Sequence, residues 1–269
     1  MGLGVKTASR RFIRSTFLEL GYHAGEKSTP SEILALVRKL RPLDCGIELI
    51  RVGSDFDGGY LIPDDLEGIE YCFSPGVSAI ADFESQLAER HIHSFLADYS
   101  VPAPPIARPE FTFDKKYLGA VNEGPFWTLA RWKDKYLKDY AGDLILQMDI
   151  EGAEYEVLLS TPDLLLDQFR IVVVEFHELG RLIDAFNLRF MSSCFEKLLQ
   201  SFFVVHIHPN DCSEIVRFGE IEIPTTLEIT LLHKRRARQT KPRMDFPHRL
   251  DASNHIHGKQ VPLAKIWYS

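Results

Sequence analysis

Residues 170–178 read RIVVVEFHE, and within Ile171–Phe176 the only polar side chain is Glu175. A strand with one face in water alternates apolar and polar residues, whereas a strand covered on both faces loses that alternation. This run therefore commits the chain to a sheet with cover on both sides. Other short apolar runs precede it, in "EYCFSPG", "HIHSFLADYS" and "DLILQMDI", with helix-like segments between several of them. Strands alternating with helices build right-handed crossovers and a parallel sheet. The expected fold is α/β, a sandwich of the Rossmann type.

The flanking segments fill in the order. Residues 8–20 and 31–41 carry helical apolar spacing, and Pro30 and Pro42 bracket the second helix. Residues 1–46 thus read as an N-terminal helical extension. "IELIRV" and "GYLIP" flank "GSDFDGG", whose Gly and Asp residues predict a hairpin turn. After "EYCF" a helix is expected to bury Ile80, Phe83 and Leu87, and a strand follows that ends at Asp98. Pro102, Pro104, Pro105 and Pro109 force an extended loop. A helix with Leu129, Trp132, Tyr136 and Leu137 comes next. Beyond "DLILQMDI" a helix starts at Ala153, and a long one spans 180–199. "SFFVVHIHP" and "TLEITLLHK" lack a convincing helix between them, which predicts an antiparallel pair at one edge. The main domain is read as 47–233, and 234–269 as a basic linker with a tail packing on the domain.

With 269 residues, 45% hydrophobic and 26% charged, the chain suits one large domain with a sizeable core. No run of about 18 apolar residues is present, and no short apolar stretch with a small-residue cleavage site follows the N-terminal charges. Cys45, Cys72, Cys194 and Cys212 are scattered without a C-x-x-C pair. A soluble, cytoplasmic protein with reduced thiols is expected. The net charge of −7 hides an asymmetry: Lys6, Arg10, Arg11 and Arg14 stand at the start without an acid, and "KRRARQTKPR" at 234–243 carries six basic residues. An acidic body argues against a general nucleic-acid binder. Solvated basic ends are the plain reading, and weak contact with an anionic surface is the alternative. An Arg-rich, acid-poor start also fits an organelle transit peptide.

In open α/β sheets ligands sit beyond the carboxyl ends of the strands, where the strand order reverses. Polar residues at those ends are the candidates. In "FSPGVSAIADFE", Gly76 permits close backbone approach ahead of a helix with free amides. Asp98 lies 22 residues after Gly76 at a strand end, where a ribose is held in nucleotide-binding βαβ units. In "MDIEGAEYEVL", Asp149 and Glu151 share one side of an extended chain, and buried paired carboxylates need a cation or hydrogen bonds. Glu154 and Glu156 read instead as acids suited to a helix start. "VVEFHEL" sets Glu175 and His177 on one side at the next strand end, and "VHIHPND" adds His206, His208, Asn210 and Asp211.

These stretches, in order from "RVGSDFDGGYLIP" through "FSPGVSAIADFE", "FLADYS" and "MDIEGAEYEVL" to "HIHPND...IPTTLEITLL", resemble the FkbM family of S-adenosylmethionine-dependent methyltransferases. The resemblance covers roughly 47–233. It implies a class I methyltransferase sandwich with a seven-stranded sheet whose last strand is antiparallel, and methyl transfer to a hydroxyl of a small molecule, sugar or natural product. It further implies that Ser74, Pro75, Gly76, Glu84, Asp98, Tyr99, Asp149, Ile150 and Glu151 form the cofactor site. The chain departs from the usual glycine-rich first loop in having Pro75 and Gly76 alone. For catalysis the candidates are Asp149, Glu175, His177 and His208, with a histidine as base. A divalent ion such as magnesium on Asp149, Glu175 and His177 is the second reading. Arg51, Asp57, Tyr60 and Asn210 are the substrate-side candidates, with Arg51 expected to pair a carboxylate. Two rival readings remain: a sugar-nucleotide glycosyltransferase using the Asp55–Asp57 D-x-D triplet with a metal, and a non-catalytic interaction module.

Overall fold

The computed structural model describes residues 25–211, 213–254 and 261–269. The expected helix at 8–20, the basic N-terminal charges and Cys212 lie outside the described residues. A hairpin of β1 (Leu49–Val52) and β2 (Tyr60–Pro63) precedes the main sheet, whose strands are β3 (Tyr71–Pro75), β4 (His93–Ala97), β5 (Phe111–Asp114), β6 (Leu144–Met148), β7 (Phe169–Phe176), β8 (Phe202–Pro209) and β9 (Leu227–His233). Their spatial order is β8-β9-β7-β6-β3-β4-β5. All neighbours from β7 to β5 pair in parallel, while β9 runs antiparallel to both β7 and β8. This is a seven-stranded, mostly parallel Rossmann-like sheet with an antiparallel last strand, as expected.

Both faces of the sheet are buried, as the apolar runs require. On β6, Leu144, Leu146 and Met148 join one core cluster and Ile145 the other; on β7, Val172 and Val174 face one way and Ile171 and Val173 the other. The first face is covered by α1 (Pro30–Lys39), α3 (Leu129–Leu137), α4 (Glu154–Ser160), α5 (Asp163–Leu166) and α6 (Ala185–Ser201). On the second face α2 (Asp82–Glu89) and the β1–β2 hairpin do the covering, through residues such as Phe83, Leu87, Leu49 and Ile62. Helix α1 begins in a capping box, with Thr29 accepting from the Glu32 amide and Glu32 accepting from the Thr29 amide, and Pro30 fits its first turn.

Several expectations need correction. Ile80 precedes α2 and is 38% exposed, so it is no part of that helix's buried face. The segment from 179 opens as a single 3-10 turn, and the long helix starts only at Ala185, capped by the Asp184 side chain. Strand β5 lies in a stretch the sequence left as loop after the prolines. Between β8 and β9 an antiparallel ribbon of Ile215–Phe218 and Ile221–Pro224 fills the connection.

The basic segment is bound to the body. Lys234 Nζ donates to the carbonyls of Leu199 and Gln200 at the end of α6. Arg235 reaches Asp143, and Arg236 makes a two-pronged contact with Asp65. Lys241–Pro242 pairs with Leu43–Asp44, and Trp267 is fully buried in the core. No helix among the described residues is long and apolar enough to cross a membrane.

Candidate functional site

The strand order reverses between β3 and β6, and the chain ends of these two strands meet. Gly76 has φ +94°, and a Cβ there would lie 1.5 Å from the carbonyl oxygen of Asp149. Only glycine allows this approach. The Asp149 amide in turn donates to Pro75 O at 3.3 Å, and the Gly76 amide to Ala97 O at 2.9 Å. The loop after β6 is tight, with Glu151 at φ +57° and Gly152 at φ +106°.

A cavity of about 440 Å³ opens on one side of this junction, lined among others by Gly76, Asp98, Tyr117, Phe126, Asp149 and Ile150. Asp98 ends β4 as expected, and its side chain has further duties. Oδ2 accepts from the Ser78 amide at 2.9 Å, and Oδ1 accepts from the Ser100 amide and hydroxyl, both at 2.7 Å. A carboxylate offers about four acceptor positions, so roughly one remains, on Oδ2. The aromatic wall was missed by sequence reasoning. Tyr117 and Phe126 stand 5.6 Å apart, and Tyr99 lies 5.2 Å from Tyr117, outside the lining itself. The signal was "KYLGAVNEGPFW", two short strands that pair in parallel across a nine-residue register offset.

A second cavity of about 290 Å³ shares Gly76, Ser78, Asp149 and Glu151 with the first and extends towards the hairpin and α2, reaching Asp57, Tyr60, Asp82, Glu84 and Gln147. Its floor is a polar chain. Ser74 Oγ contacts both Glu84 Oε1 and, at 2.7 Å, Gln147 Oε1, while Gln147 Nε2 donates to Tyr60 Oη at 3.2 Å. One hydroxyl proton cannot serve two acceptors, so a proton on Glu84 completes the set. Burial, opposed by the Ser74 bond, pushes Glu84 up to about 7.

Behind Asp149 and Glu151, which both cavities share, His177 sits among four carboxyl groups; neither His177 nor Glu175 lines either cavity itself. The Nδ1 of His177 is 3.1 Å from Glu154 Oε1, and its Nε2 is 3.6 Å from Glu151, 3.7 Å from Glu175 and 3.9 Å from Asp149. Glu154, which the sequence assigned to the helix start alone, is fully buried and also accepts from the amides of Ile150 and Gly152. It therefore fixes both the loop and the imidazole. Burial would lower the His177 pKa, but the Glu154 bond and the surrounding carboxylates outweigh it and push it up to about 9. Burial, opposed by His177 and reinforced by Glu151 and Glu154, raises Asp149 to about 7. Burial, then Asp149 and Glu228, raises Glu175 to about 9. Asp149 Oδ1 is buried with no hydrogen-bond partner. An orphaned acceptor beside an open cavity suits a cation or a hydroxyl.

Other expected residues fall elsewhere. Ser74 and Pro75 are buried in β3 beneath the junction and line neither cavity, and Glu84 faces the second cavity. His208 lies on β8, two strands from the β7 that carries Glu175, against Glu228 and Asp251, and does not reach Asp149. Among the described residues Arg51 pairs no carboxylate; its guanidinium donates to the hairpin's own carbonyls at Ser54 and Phe56. Asn210 donates to Glu175 Oε1 at 2.8 Å. Glu228, opposite Glu175 on β9, went unnoticed because "TLEITLL" reads as an ordinary strand.

Among the described residues two groups could hold a metal: Asp149 with Glu151 and His177, and His206 with His208 and Asp251. The first overlaps the expected set but replaces Glu175 with Glu151, whose side chain is 87% exposed. Magnesium prefers an octahedral shell of oxygens and water, so an imidazole-containing set suits it poorly. Neither group includes Asp55 or Asp57. For a methyl-donor nucleoside the fit is better: Gly76, the aromatic pair Tyr117 and Phe126, and Asp149 all line one cavity.

Residues 130–198 match the model for the Methyltransferase FkbM domain. Comparison with curated proteins gives no match. Solved structures with similar chains include one in the crystal structure of the fibrillarin/Nop5p complex, at 14% identity, covering 72% of this chain and 98% of that one, with a TM-score of 0.39. Another comes from the structure described as "Conversion of a Disulfide Bond into a Thioacetal Group during Echinomycin Biosynthesis", at 11% identity, covering 76% and 93%, with a TM-score of 0.29.

Proposed function

We propose, on the premise that residues 130–198 match an FkbM methyltransferase domain set in a class I sheet, that this protein is an S-adenosylmethionine-dependent methyltransferase acting on a hydroxyl oxygen. The single observation that carries the reading is the junction of two unlike cavities at Gly76 and Asp149. One has an aromatic wall suited to an adenosine, and the other is lined by carboxylates, hydroxyls and an amide suited to a hydroxyl-rich acceptor. The acceptor class is a small molecule, sugar or natural product.

S-adenosylmethionine, when bound, supplies a methyl group on a cationic sulfonium. Asp98 offers its remaining acceptor position to a ribose hydroxyl, and the Gly76 loop lets the backbone approach closely. Asp149 serves as the proton acceptor for the attacking hydroxyl, because a group near 7 is matched to neutral operation. His177 is held as an imidazolium by its carboxylate neighbours, so it positions and tunes Asp149 rather than taking the proton itself. Holding acceptor and donor in line supplies much of the remaining acceleration.

Transfer of labelled methyl groups from S-adenosylmethionine to a panel of polyols and hydroxylated natural products tests this reading. Asp149→Asn, which keeps shape and loses basicity, is expected to lower turnover by roughly 10²- to 10⁴-fold while leaving affinity for the neutral product S-adenosylhomocysteine nearly unchanged. Equal turnover in the variant would remove Asp149 from proton transfer.

A further inference from the structure

Away from the two joined cavities, two alternate residues of β8 and one residue of the C-terminal segment meet inside the protein. His206 and His208 point to the same face of the strand, towards Asp251. His206 is 2% exposed, and the side chain of Asp251 is likewise 2% exposed. His206 Nε2 lies 2.8 Å from Asp251 Oδ1, and His208 Nδ1 lies 3.8 Å from the same oxygen. The ligating atoms of all three lie within 4.8 Å of one another.

At 2.8 Å an imidazole and a carboxylate ordinarily share a hydrogen bond, yet here the N–H is not aligned with the oxygen. His206 Nε2 and Asp251 Oδ1 both remain without a hydrogen-bond partner, buried from solvent. A cation between the two would give each of these buried atoms a partner. The other oxygen, Asp251 Oδ2, is anchored by the His248 amide at 2.7 Å, so the carboxylate is oriented and Oδ1 is presented inward. Phe246 stacks on His206 with ring centroids 5.7 Å apart, fixing the imidazole plane. Glu228 adds negative charge beside His208.

We infer that His206, His208 and Asp251 form a binding site for a divalent transition cation of the zinc class, clamping the C-terminal segment onto the outer edge of the sheet. Two imidazole nitrogens and one carboxylate oxygen are donors for zinc and its neighbours, and magnesium or calcium would take oxygens instead. Nitrogen and oxygen ligands at about 2.0–2.2 Å from a tetrahedral zinc lie about 3.3 Å apart, so the observed 2.8 and 3.8 Å need only small side-chain adjustments. The carboxylate ligand is supported through Oδ2 and the His206 ring by the stacked Phe246, while the outer ring nitrogens, His206 Nδ1 and His208 Nε2, are buried without a hydrogen-bond partner among the described residues. The site stands independently of the methyl-transfer reading, since none of its residues lines the two joined cavities.

Elemental analysis of the full chain, loaded with zinc and passed through gel filtration, tests the site. About one zinc per chain is expected in wild type and in His177→Gln, and loss of at least ~90% of it in Asp251→Asn and His206→Gln. Stripping the wild type with a chelator should lower Tm by roughly 5 °C or more, and zinc alone should restore it. Cobalt in place of zinc should give visible absorption that Asp251→Asn abolishes. Wild-type stoichiometry together with zinc kept by His177→Gln decides the matter even where the Asp251 and His206 variants fail to fold. No zinc after gel filtration, or zinc retained by Asp251→Asn and lost from His177→Gln, would overturn the inference.

Discussion

The chemistry rests on a few side chains whose charges are set by one another. Asp149 is high because it is buried among acids, and the imidazolium of His177 opposes that rise. His177→Gln removes that influence, so the Asp149 pKa must rise and the acid limb of the turnover–pH profile must move to higher pH. A limb left in place would mean that His177 does not tune Asp149. Glu175 gives a stability prediction with a definite sign. Its folded pKa of about 9 lies above an unfolded value of about 4.3, so its contribution is full in acid and is lost as pH rises towards 9. His177, also raised to about 9, loses its contribution over the upper part of the same window. Melting temperature should therefore fall between pH 6 and 9.5, and Glu175→Gln, which stays neutral in both states, should flatten that fall. An equally steep fall in the variant would contradict the account. Asp149, Glu175 and His177 were legible in the sequence because they stand at the ends of apolar runs. Glu154 and Glu228 were not, since a buried carboxylate in a helix start or mid-strand looks the same in sequence as an exposed one.

At the scale of elements, a parallel sheet with an antiparallel pair at one edge followed from the apolar runs and from the missing helix between β8 and β9, while the order of the strands did not. The hairpin was readable from its turn, but its role as cover for the second face was not, because packing partners leave no local pattern. A buried charged tie between elements was also hidden. Arg170, at the start of β7, donates Nε to Asp143 at 2.6 Å and Nη1 to the carbonyls of Asp65 and Glu67 at 2.9 and 2.8 Å. It thus joins the bottom of the sheet to the loop after β2, and Asp143 and Asp65 go on to hold Arg235 and Arg236 of the basic segment. Removing one member of a buried charged set leaves the others unpaired. Arg170→Ala is expected to destabilise the fold by about 3–5 kcal/mol in denaturant titration. A loss below about 1 kcal/mol would show that the network is dispensable.

Taken as a whole molecule, the protein gathers its polar residues on one rim. Asp149, Glu175, Glu228 and His208 stand on four adjacent strands, β6, β7, β9 and β8, at matching heights on the face covered by the hairpin. One end of that row opens on the two joined cavities, and the other is closed by Asp251 and the C-terminal segment. The contact of the C-terminal segment with β8 through Asp251 depends on long-range folding that no local pattern encodes. The central claim is that the junction of Gly76 and Asp149 receives an adenosine-linked methyl donor. Isothermal titration of the full chain with S-adenosylhomocysteine tests it most directly: the account predicts saturable one-to-one binding in wild type and its loss in a folded Gly76→Val variant. No heat of binding to wild type, or unchanged affinity in Gly76→Val, would contradict it.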